Sequence, residues 1–127
     1  MNMGKVVFGF FVLLALTLNF GFFLGDIDNP AHHNVYELFA ALVVGLVATV
    51  MKFGERSQMG AVLLASSLVV DLQLIAAAIV WAAAVHMTDH GLTPMVMASI
   101  VSLSGGALLA NMLSVVLLTL ETAGLSR

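Results

Sequence analysis

Four long nonpolar runs, separated by short polar joints, set the plan of the chain. Each holds about 20 or more mostly apolar residues, the length an α-helix needs to cross a bilayer. They predict helices over about 5–25, 30–52, 58–87 and 94–121. Asp28 or Asn29 before Pro30, and Thr93 before Pro94, have the N-cap and first-turn chemistry of helix starts. Residues 52–58 read as one polar turn and Asp89-His90-Gly91 as another. Such short joints make consecutive helices antiparallel neighbours. The expected fold is all-α: a single transmembrane domain over 1–127, built as a four-helix bundle. The first run is too long for the h-region of a cleaved signal peptide and no A-x-A site follows, so it is expected to be a retained helix.

Composition makes the solvent lipid. Of 127 residues, 61% are hydrophobic and 9% charged, with a mean hydropathy of +1.12. Soluble domains carry roughly 25% charged residues, and a domain this small could not hide so much apolar side chain from water. Four Lys and Arg in total cannot track a phosphate backbone, so nucleic acid is excluded as a partner. The chain has no cysteine, which excludes thiolate chemistry.

Charge placement sets the expected orientation. Lys5, Lys52, Arg56 and Arg127 all fall on one side of a four-helix plan. Asp26, Asp28, Asp89, His32, His33, His86 and His90 fall on the other. The positive-inside bias then puts both termini in the cytoplasm of a multi-pass inner-membrane protein. It also argues against insertion in both orientations.

Helix association in lipid relies on close contact through small residues. Helix 4 has them at Ala98, Ser102, Gly106, Ala110 and Ser114, and helix 2 at Ala41, Gly45 and Thr49. Helix 3 offers Ser67, Asp71, Ala78 and Ala82 on one face. Helix 1 carries six of the eight phenylalanines and few small residues, so it is expected to face lipid. Four short helices enclose little space, which favours a pathway on the axis of a homo-oligomer.

Asp71 is the leading candidate for chemistry. It lies near the middle of helix 3, where an ionised carboxylate costs at least about 2.5–3.5 kcal/mol. Such residues mark ion or proton pathways. The competing reading is a protonated acid that hydrogen-bonds a neighbouring helix. Asn111 falls at similar depth, and Ser67 one turn away on the same face. Gln73 points elsewhere than Asp71, either bonding another helix or lining the pathway. Asn19 in helix 1 is expected to make one interhelical hydrogen bond.

A second cluster lies at the histidine side. His33 and Glu37 are spaced i, i+4, as are His86 and His90 if helix 3 continues that far. Nitrogen and oxygen ligands of this kind suit a divalent metal such as zinc or copper. Exposed histidines with no such role are the plainer reading. Met87, Met95 and Met97 nearby would suit copper, although methionine is equally ordinary in lipid. Glu37 alone could attract cations to a pore mouth, or equally pair with a protonated His33 and do nothing else. Trp81 and Tyr36 fit an aromatic belt, and Lys52 a headgroup anchor. No phosphate loop, H-E-x-x-H motif or plausible nucleophile constellation is present, so no enzyme activity and no firm cofactor is expected.

The runs His32-His33-Asn34-Val35-Tyr36-Glu37-Leu38-Phe39, Lys52-Phe53-Gly54-Glu55-Arg56-Ser57 and Val70-Asp71-Leu72-Gln73-Leu74 resemble an uncharacterised family of small four-helix bacterial membrane proteins. The resemblance implies a bacterial inner-membrane setting and no known activity. In size and plan the chain is also similar to small multidrug exporters and fluoride channels. It departs from the exporters in lacking an acid in the first helix, and from fluoride channels in its one-sided charge.

Together these features predict a homo-oligomeric channel or transporter for a cation such as the proton. Asp71 would be its mid-membrane site, with Ser67, Asn111, Gln73 and Glu37 along the way. Gating by pH or metal would act through the outer histidines. The alternative is a non-transporting membrane subunit that scaffolds or senses for a partner membrane protein.

Overall fold

The computed structural model describes residues 3–54 and 57–124. Glu55, Arg56 and Arg127, used above for the polar turn and the charge bias, lie outside these residues. Four α-helices carry the fold: α1 (Met3–Phe23), α2 (Val35–Lys52), α3 (Gln58–Met87) and α4 (Pro94–Thr122). Each is long and apolar enough to cross a membrane. The start signals act where side-chain oxygens replace missing helical partners. Ser57 Oγ accepts from Gly60 N at 2.9 Å, and Thr93 Oγ1 from Val96 N at 3.2 Å with Pro94 as the first helical residue.

Helix 2 starts later than expected. Asn29-Pro30 opens only a 3₁₀ turn, Pro30–His32, and Asn34 caps the helix proper by accepting from Tyr36 N at 2.8 Å. The intervening histidines are occupied with the end of α1, as described below.

The helices form a ring in which α1 and α3 each pack against both α2 and α4. Expectation and structure part at α1. Phe8, Val12, Ala15, Asn19 and Phe22 are buried, at alternating steps of four and three residues. That average of 3.5 is the spacing of a continuous packing seam. Phe8 and Val12 join Ala48 in one cluster, and Phe22 sits in the main core with Leu38, Leu74 and Ile100. Helix 1 is a full member of the bundle rather than a lipid-facing addition.

On α4 the buried line is Met97, Ile100, Val101, Ser104, Ala107, Asn111 and Ser114, while Ser102 is exposed. Positions four apart advance about 40° beyond a full turn at 3.6 residues per turn. The small-residue stripe therefore winds around the helix, and its members do not share one interface. On α2 the shorter stripe does stay inside: Ala41, Gly45 and Thr49 are all buried. Gly106 has a separate purpose, since a side chain there would collide with the Gln73 amide of α3.

Candidate functional site

Asp71 reaches the centre of the bundle because α3 turns one face, Ser67, Val70, Asp71 and Leu74, toward the other three helices. Its side chain is only 5% exposed. Oδ2 accepts from Thr49 Oγ1 of α2 at 2.5 Å, whereas Oδ1 is buried with no hydrogen-bond partner. Beside it is a cavity of about 10 Å³, lined by Ala15 of α1, Gly45 and Ala48 of α2, Ser67 of α3, and Asn111 and Ser114 of α4. A single water needs roughly 10–15 Å³ by this measure, and polar partners to hold it. The cavity therefore matches one water in scale and is far too small for a hydrated ion. Gly45 keeps it open, for a Cβ there would stand 3.2 Å from Asp71 Oδ1.

Thr49 makes the carboxyl adaptable. Its hydroxyl has one proton and two acceptors in reach, Gly45 O at 2.9 Å and Asp71 Oδ2 at 2.5 Å. With the proton on Gly45 O, the threonine oxygen can accept from a protonated Asp71. With the proton turned to Asp71, it serves the carboxylate. A rotation of one hydroxyl thus accommodates both states.

Other polar pairs continue along the interior. Toward the Lys52 end, Ser66 and Ser114 hydroxyls meet at 2.6 Å. Toward the histidine end, Asn19 of α1 is fully buried. Its amide donates to Ser104 O at 3.1 Å and accepts from Leu108 N and Asn111 Nδ2, both at 3.0 Å. Ser104 O and Leu108 N are an i, i+4 pair of α4, so the asparagine contacts one turn of a neighbouring helix. The one expected bond is three. At the Lys52 end, the ammonium lies 4.6 Å over the Phe8 ring and 4.0 Å from Glu121. Lys52 is 9% exposed, its side chain held against Phe8 and Glu121. A cleft of about 500 Å³ opens there between Lys5, Phe8, Lys52, Leu118 and Glu121.

Of the residues singled out in the sequence, Asp71, Ser67 and Asn111 meet at the cavity. Gln73 does not, because it packs against Gly106 between α3 and α4. Glu37 is half-buried and turned toward Gly21 of α1 rather than toward an outer face. The polar residues converge inside one bundle. Thr49, Ser66 and Ser114 were missed as partners; Thr49 and Ser114 had counted only as small residues, and hydroxyls on a packing stripe were the available signal.

The histidines and Glu37 do not assemble as metal ligands. His33 is 4% exposed and both its ring nitrogens face backbone carbonyls. Helix α3 ends at Met87, so His86 and His90 are not on one helix, and His90 Nδ1 bonds Gly91 O at 2.8 Å. Among the described residues, no group of three or more histidine or acidic side chains is placed to hold a metal ion. The methionines separate too: Met97 is in the core, while Met87 and Met95 are exposed. Trp81 packs on Phe22 at 6.1 Å between ring centroids.

No curated protein and no solved structure matches the chain. The profile of a family of unknown function (DUF6394) matches residues 32–122. That span includes every polar residue of the cavity and omits α1. The chain belongs to this family of unknown function, DUF6394.

Proposed function

We propose that the bundle moves protons across the bacterial inner membrane, with Asp71 as the group that takes up and releases them. One observation carries this reading. A carboxyl at mid-membrane depth keeps one oxygen unpartnered beside a one-water cavity to which all four helices contribute. An acid serving only as glue gains most when every buried polar atom is paired. A hydrated metal cation would need far more room, so the proton is the fitting cargo.

Flanking groups supply the approach. Along α4, Ser104, Asn111, Ser114 and Glu121 mark levels that span about 25 Å at 1.5 Å per residue, most of a hydrocarbon core of about 30 Å. Glu37, opposite Gly21, stands near the Asn19 level at the histidine end. At the other end the cleft reaches Leu118, one turn from Ser114. Positive-inside charge makes that cleft the cytoplasmic mouth. Each bundle holds a complete site, whether or not copies associate.

The second reading, a subunit that transports nothing, draws support from the same contacts. The Thr49–Asp71, Ser66–Ser114 and Asn19–Asn111 pairs also tie helices together. Flux decides between the two. Protein reconstituted into vesicles with an internal pH dye, under a potassium diffusion potential set by valinomycin, is expected to admit protons. Folded protein that passes none, at either sign of potential and over about pH 5–8 where histidines titrate, would establish the second reading.

A further inference from the structure

We propose that the cleft at the Lys52 end, together with an apolar groove on the face of α2, binds one anionic phospholipid. The cleft takes the headgroup and the groove takes an acyl chain. The site stands apart from the transport reading and needs none of it.

The groove follows from the spacing of α2. Val43, Leu46, Val47, Val50 and Met51 fall at i, i+3, i+4, i+7 and i+8, which is one face of a helix. All five are exposed, and they line a groove of about 350 Å³. That face lies about half a turn from the buried line of Ala41, Gly45 and Ala48. From Val43 to Met51 the helix rises about 12 Å at 1.5 Å per residue. One leaflet of a hydrocarbon core about 30 Å thick is about 15 Å deep. The groove therefore runs along most of one leaflet, the course of an extended acyl chain.

Met51 joins the two spaces, because it lines the groove and the cleft alike. The next residue, Lys52, ends α2. Groove and cleft thus follow the order of a lipid, apolar wall first and charge at the end.

The cleft is cationic on balance. Among its described lining residues, Lys5 of α1 and Lys52 of α2 outnumber the one acid, Glu121 of α4. The Lys52 ammonium sits 4.6 Å over the Phe8 ring and 4.0 Å from Glu121. The second distance is longer than a hydrogen bond, so Glu121 does not close the cleft. A phosphodiester shared by the two lysines gains charge-assisted hydrogen bonds and cancels the excess charge. The volume of about 500 Å³ falls within the usual range for ligand sites, about 300–1,000 Å³. A free anion would leave the groove bare, and a zwitterionic lipid would leave the excess charge unmet.

Native mass spectrometry of the full chain, released from detergent after mixing with defined lipids, tests the site without any flux measurement. Phosphatidylglycerol is expected to bind at one per chain. It should bind about fivefold more tightly than phosphatidylcholine or phosphatidylethanolamine with the same acyl chains, the effect of one uncompensated lysine near a membrane surface. Lys5→Gln is expected to remove that preference, and inorganic phosphate is expected not to stay bound. Equal binding of the three lipids, an unchanged preference in Lys5→Gln, or phosphate held as well as lipid overturns the site. A dimer that forms without lipid and excludes it does the same. The comparison of lipids uses unmodified protein, and Lys5 is exposed near the start of α1, so the test does not depend on a variant that fails to fold.

Discussion

Asp71→Asn is expected to cut proton flux into reconstituted vesicles by at least about 100-fold, the lower range for removing a proton-transferring group, while the bundle stays folded. Asparagine has the shape of aspartic acid and can keep the Thr49 contact, now 2.5 Å long. It fills the same 5%-exposed position and brings no charge. What it cannot do is bind and release a proton. If Asp71 were glue alone, the amide would serve nearly as well and the variant would be silent. Thermal unfolding in detergent, run beside the flux assay, separates lost transport from lost structure.

Gly45→Ala is expected to separate stability from transport in the same direction, by closing space rather than removing the acid. The added Cβ would lie 3.2 Å from Asp71 Oδ1 and 3.9 Å from Val70 Cγ1. That methyl takes the approach to the free carboxyl oxygen and fills a cavity of only about 10 Å³. Flux is expected to fall about tenfold or more, the equivalent of about 1.4 kcal/mol. Stability should move little. Alanine gains up to about 1 kcal/mol over glycine in a helix interior, and tight packing beside Asp71 takes back about 1 kcal/mol. A variant that is as stable as the parent but conducts poorly would point to the cavity as a working space. Unchanged flux would show that the space beside Oδ1 has no part in transport.

The sequence disclosed the elements more fully than their faces. Helix runs stand out because lipid demands about 20 apolar residues in a row. Which side of each run faces inward is poorly encoded, because core and lipid are both apolar. The phenylalanines of α1 pointed to lipid, yet Phe8 and Phe22 are buried and Phe10 and Phe20 are exposed. The better signal was Asn19, since a buried amide needs partners on another helix. On α4, a stripe with a period of four looked continuous but does not follow a helix of 3.6 residues per turn.

The candidate site was half legible. An acid at mid-depth announces itself by its insertion penalty; Asn111 followed from depth and Ser67 from lying one turn away on the same face. Thr49 did not, because its role rests on a hydroxyl choosing between Gly45 O and Asp71. The histidines misled for a related reason. The spacing of His33 with Glu37 matched metal ligation, but the ring nitrogens of His33 face Phe22 O and Asp26 O, and His90 meets Gly91 O beyond the end of α3. Backbone groups at a helix end leave no mark on a pattern of side chains.

Infrared difference spectroscopy of the protein in lipid bilayers, as pH is stepped, tests most directly whether Asp71 exchanges a proton. The result expected is a protonated-carboxyl band that appears and disappears reversibly and is missing from Asp71→Asn. A band from Asp71 that persists unchanged at every pH, or never forms, would contradict proton transfer through this residue.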